Sequence, residues 1–78
     1  MNKRSYETLL YSITANVVAK IMTLNGWSEN IALERFTSSK LYSYLEKEET
    51  KVWQYSTDML YSLLLQEEKT GSLSFPDV

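Results

Sequence analysis

From Ser5 to Leu24 the apolar side chains Tyr6, Leu10, Ile13, Val17, Ile21 and Leu24 recur at spacings of four, three, four, four and three. That is the period of one face of an α-helix, and it predicts a first helix over about 5–24. Asn25-Gly26 supplies a residue tolerant of left-handed backbone to end it, and Trp27 follows where an apolar side chain can fold back on the last turn. Ser28 is a good N-cap with Glu29 at the positive end of the next helix dipole, so a second helix is expected over about 29–37, burying Ala32, Leu33 and Phe36. The hydroxyls of Thr37, Ser38 and Ser39 compete with helical backbone and predict a break or a cap. A third helix over about 39–47 then carries Leu41, Tyr44 and Leu45 and frays in the charged run Glu46 to Glu49.

Thr50 and Ser56 are both plausible N-caps, which leaves two options open. Residues 51–69 form one helix, or a turn or short helix over about 50–54 precedes a last helix over about 57–69. The cluster Ser56-Thr57-Asp58, with an acid in the first turn, favours the second. Gly71 ends this helix, and 72–78 is expected to be an extended tail in which Leu73 and Phe75 dock on the body and Pro76 prevents further helix. Two glycines, one proline and no low-complexity tract leave little material for linkers or hairpin turns, so strands are not expected. The expectation is an all-α fold, one domain over 1–78, built as a small bundle of four to five helices with an extended C-terminal tail.

Two helices carry more apolar surface than one core face uses. On a helical wheel at 100° per residue, Met59, Leu60, Tyr61, Leu63, Leu64 and Leu65 spread over about 240°, against the roughly 100° that covers a core. The first helix has a second apolar line, Tyr11, Ala15, Val18 and Met22, at spacings of four, three and four on roughly the opposite side from its core face. Such spacing resembles a coiled-coil seam, and Ala15 would let another backbone come close. Either this line is core between neighbouring helices, or it is a partner interface formed by Tyr11, Ala15, Val18 and Met22, joined by Tyr61 and Leu65. Six tyrosines add aromatic surface of the kind enriched at interfaces.

Composition sharpens this picture. A chain of 78 residues has a thin stability margin, and small scaffolds make up the deficit with disulfides, a metal, tight packing or association. There is no Cys and no His, which removes disulfides, thiolate zinc sites and imidazole ligands and leaves packing and association. A cysteine-free chain suits the reducing cytoplasm. The longest apolar stretch, Met59 to Leu65, is itself broken by Ser62 and is far shorter than the roughly 20 residues that span a bilayer, so no membrane partner is expected.

Candidate chemistry is sparse. Glu46, Glu48 and Glu49 lack the turn glycine and alternating acids of a cation loop, and the adjacent Glu67-Glu68 point about 100° apart. Ser39-Lys40 are neighbours that cannot place hydroxyl and amine in mutual reach, and no glycine-rich phosphate loop occurs. No catalytic, cofactor or metal residues and no small-molecule substrate are inferred, and an enzyme is not expected. The alternative is a small helix-turn-helix-like DNA-binding regulator, its second helix offering Ser39, Lys40, Ser43 and Lys47 to a groove. A net charge of −2, basic residues scattered from Lys3 to Lys69, and Glu46, Glu48 and Glu49 directly after that helix disfavour nucleic acid.

The stretch ALERFTSSKLYSYLEKEETKVWQYS, Ala32 to Ser56, followed by EEKTGSLSFPDV, resembles short uncharacterised bacterial proteins that share an all-helical domain of unknown function. The resemblance rests on the Ser-Lys-Leu-Tyr and Glu-Thr-Lys-Val-Trp segments and carries over no functional residues. It implies a bacterial setting in which such proteins sometimes sit beside toxin-like partners, which suits a binding role. The function expected is therefore a small cytoplasmic protein–protein interaction module, homo-oligomeric or bound to another bacterial protein.

Overall fold

The computed structural model describes residues 3–73 and 75. Four α-helices follow in chain order: α1 (Lys3–Asn25), α2 (Glu29–Thr37), α3 (Lys40–Leu45) and α4 (Thr57–Thr70), with single 3-10 turns at Glu48–Thr50 and Val52–Gln54 between the last two. The described residues contain no strand, and the molecule is a small all-α bundle. At 1.5 Å per residue, α1 is about 34 Å long. It sets the 35 Å long axis of the molecule.

The helix starts follow one local rule. Ser28, Ser39 and Ser56 each have extended backbone, and each hydroxyl accepts a bond from the amide three residues on, at Ile31, Tyr42 and Met59. A serine cap of this kind stabilises a helix by about 1 kcal/mol. The ends differ. Gly26 takes φ 68° and donates its amide to the Met22 carbonyl at 2.8 Å, and Gly71, φ 78°, does the same for Glu67 at 2.7 Å. Both positions sit in the region that glycine enters at low cost.

The Gly26 turn sends α2 back along α1, so that the start of α2 lies beside Met22 and its end beside Leu10. Val17 and Ile21 of α1 meet Ala32 and Phe36 of α2, Leu41 and Leu45 of α3, Val52, and Leu60, Leu63 and Leu64 of α4 in one buried cluster. Phe36 is fully buried and takes the Tyr42 ring edge-on at 5.4 Å. Tyr6 crosses to the far end of α3, where its hydroxyl donates to the Leu45 carbonyl. Lys20 joins α1 to the first turn of α4 through Asp58 at 2.6 Å.

Between α3 and α4 the chain does not continue as one helix. Lys51 adopts φ 59°, left-handed for a residue with a Cβ, and separates the two 3-10 turns. The Thr50 hydroxyl bonds the carbonyls of Tyr44 and Lys47 at 2.6 and 2.8 Å, and the Trp53 indole donates to the Glu48 carbonyl at 3.0 Å. These side-chain bonds satisfy the backbone where a regular ladder would have run. After Gly71, Leu73 and Phe75 pack on the core cluster, with the Phe75 ring edge-on to Tyr44 at 5.2 Å and stacked on Tyr55 at 6.3 Å. Ser74 and 76–78, the rest of the expected tail, lie outside the described residues.

Two residues assigned to the core by periodicity are not there. Leu33 is 39% exposed because Ala32 and Phe36, one turn apart, take the inward face of α2 and Leu33 stands about 100° round from Ala32. Leu24 is 57% exposed in the last turn of α1, where α4 reaches Asn25 through the Tyr61 hydroxyl instead.

Candidate functional site

The second apolar line of α1 borders an open groove between α1 and α2. Tyr11, Thr14, Ala15, Val18, Ala19 and Met22 form one side, and Glu29 and Leu33 of α2 form the other. The groove runs on toward the start of α1, past Glu7 and Leu10, to Thr37 and Tyr42. Its members are not equally free. Tyr11 is 79% exposed, Ala15 and Ala19 are exposed, and Met22 is half-buried. Val18 is buried by its own chain and forms the floor.

This position corrects the wheel-based picture of a line opposite the core. The line is a flank. α2 packs close enough to cover Val18 while leaving Tyr11 and Ala15 in solvent, so Val18 belongs to the core cluster and is not an accessible interface residue. Leu33 was expected in the core and Glu29 only as a charge at the start of α2, so neither was assigned to this surface. The spacing of Leu33 from Ala32 carried the signal, since a short helix whose core face is held by Ala32 and Phe36 turns a neighbouring Leu outward.

Tyr61 and Leu65 belong elsewhere. Tyr61 is half-buried on α4, accepting from the Asn25 side chain at 3.3 Å, with the Lys20 ammonium 5.8 Å from its ring centre. Leu65 is 43% exposed on the same helix. Neither lines the α1–α2 groove with Tyr11 and Ala15. The wide apolar arc of α4 is mostly absorbed by its own chain, since Leu60, Leu63 and Leu64 are buried and Met59 remains exposed.

The residues assigned to DNA contact are arranged against that use. Ser39 is buried, and its hydroxyl donates to the Phe36 carbonyl at 2.6 Å while accepting the Tyr42 amide at 3.1 Å. The hydroxyl is wholly taken up in capping α3. Lys40 places its ammonium on the Gly71 carbonyl at 2.9 Å. The amides of Lys40 and Leu41, at the positive end of α3, donate to the two carboxylate oxygens of Glu67 at 2.8 and 3.1 Å. A carboxylate thus lies where a phosphate would approach. Ser43 and Lys47 are exposed, and so are Glu46 and Glu49 close by in the chain, whose charge opposes a phosphate backbone.

Among the described residues no group of three or more Asp or Glu side chains could hold a metal ion, and no helix is long and apolar enough to cross a membrane. Among the described residues one ionisable group is clearly displaced. Burial raises the Tyr6 phenol above its usual value, and the charges of Glu48 and Glu49 push in the same direction. With its hydroxyl held by Leu45 in the interior, this phenol serves the fold and offers no reactive face.

No family model, curated protein or solved structure matches the chain.

Proposed function

We propose that the protein is a small protein–protein interaction module whose contact surface is the α1–α2 groove. The observation that carries this reading is the placement of Tyr11. A large aromatic side chain stands 79% exposed at the rim of a groove floored by Val18 and walled by Leu33. Aromatic anchors beside small residues are what protein interfaces use, because the ring contributes much buried area for little lost side-chain entropy. Ala15 and Ala19 leave the surface of α1 low enough for another backbone to approach. We assign no catalytic role. A cytoplasmic setting in a bacterial cell belongs to the same proposal, supported by the absence of cysteine and by the resemblance of Ala32 to Ser56 to short bacterial helical proteins. DNA binding is the weaker reading because Glu67 occupies the start of α3 and Ser39 is committed to its cap.

In-cell photocrosslinking tests the surface without presupposing its occupant. A benzophenone side chain at position 11 is expected to couple to a protein chain, its own kind or another. The same group at Gln66, on the exposed side of α4, is expected to couple far less. Equal yields from both positions, or none from position 11, would overturn the proposal.

A further inference from the structure

We infer that the groove takes a helical segment of another protein, one with an apolar stripe and a basic side chain at each end of it. This rests on the reading of the α1–α2 groove as a protein-contact surface. The walls set the shape of the occupant. Both are helices whose backbone groups bond within themselves, and the described residues contain no strand, so an extended segment finds no edge to pair with. A helix satisfies its own backbone and needs only an apolar face. Ala15 and Ala19, about one turn apart, are exposed and keep α1 low along the middle of the groove, between Tyr11 and Met22. From Glu7 to Met22 the axis of α1 advances about 22 Å, the length of a helix of about fifteen residues.

Charge sets its chemistry. Glu7 lines the groove at one end and Glu29 at the other, beside Met22, and no Lys or Arg lines it. Both carboxylates are exposed, and among the described residues neither is in an ion pair within its own chain. Two cations of the neighbouring helices are engaged elsewhere. Lys20 holds Asp58, and Arg35 lies 5.1 Å from the Trp27 ring centre and reaches Glu68. Arg4, about one turn before Glu7, is exposed and stands outside the lining. An apolar track with a carboxylate at each end repels nucleic acid and anionic lipid, and it complements an apolar stripe that ends in Lys or Arg. A second copy of this chain is a poor fit for the same reason. Laid parallel, two such grooves set Glu7 against Glu7, and laid antiparallel they bring Glu7 toward Glu29, so like charges meet in either direction.

Selection from a displayed peptide library tests this. The probes are helical peptides of about sixteen residues on an alanine background, with apolar residues varied along one face and Lys, Arg, Glu or Gln allowed at each end. Against purified wild-type protein, peptides with a basic residue at both ends are expected to be enriched about tenfold over those with Glu at both. The double variant Glu7→Gln, Glu29→Gln should keep its helix content and lose that preference. The double variant Glu46→Gln, Glu49→Gln, which changes the net charge equally but away from the groove, should retain it. A selection without bias toward basic ends, or a bias that the groove variant keeps, overturns the inference. A crosslink from position 11 found only to a second copy also overturns it, and leaves the contact-surface reading standing. An absence of crosslinking from position 11 removes that underlying reading itself.

Discussion

Tyr6 shows how one side chain ties distant parts of a short chain together. Its ring is buried near the start of α1 and its hydroxyl donates to Leu45, 39 residues away. Replacing it with Phe keeps the ring and leaves a buried carbonyl without its donor, which should cost about 1–2 kcal/mol. The phenol also makes stability depend on pH. Its folded pKa is raised from 10.0, first by burial and then by Glu48 and Glu49, so the fold holds the neutral form. The stabilisation is fully present below about pH 10 and is lost as pH rises through the folded value. Urea unfolding should therefore give a Tyr6→Phe variant that is less stable than the wild type at pH 7. The difference should narrow above pH 10, and a gap constant across that range would contradict this account of Tyr6.

At the scale of elements, α3 is the informative helix. With six residues it is too short to stand alone and depends on what closes its ends. Ser39 caps it from its own chain, and Glu67 reaches from α4 to take the amides of Lys40 and Leu41. Glu67→Ala should destabilise the protein by about 1–2 kcal/mol, because charge-assisted bonds at a helix start are lost. Glu68→Ala removes only a 4.0 Å contact to the largely exposed Arg35. It should cost at most about 0.5 kcal/mol. Thermal melts of the two variants side by side decide the point. The contrast also shows what the sequence could reveal. Serine caps and the glycines at 26 and 71 act within a few residues and were readable as helix boundaries. The Glu67 bond spans 26 and 27 residues, and nothing local marks it off from Glu68. Lys51 was unreadable for a different reason, since its left-handed backbone is imposed by the bonds around Thr50 and Trp53 and not by its own preference.

For the whole molecule, the question is how much of its apolar surface it shelters alone. The four α-helices cover Val17, Ile21, Phe36 and Leu64 completely or nearly so, and they also cover Val18. They do not cover Tyr11 or Ala15. Periodicity identified the line Tyr11, Ala15, Val18 and Met22, but a wheel carries no information about where a neighbour lies. The packing of α2 against one side of that line therefore had to come from the structure, and it turned a flat seam into a groove with Leu33 as a wall. The chain has no cysteine, so a single introduced thiol reports on one place. Ala15→Cys provides that report at the centre of the groove, with Gln66→Cys as a reference on exposed α4. The most direct measurement is the rate at which each thiol is alkylated inside cells, relative to the same thiol in dilute purified protein. The account predicts that the thiol at position 15 reacts at least about tenfold more slowly in cells, while the reference does not change. Equal relative rates at the two positions would contradict it.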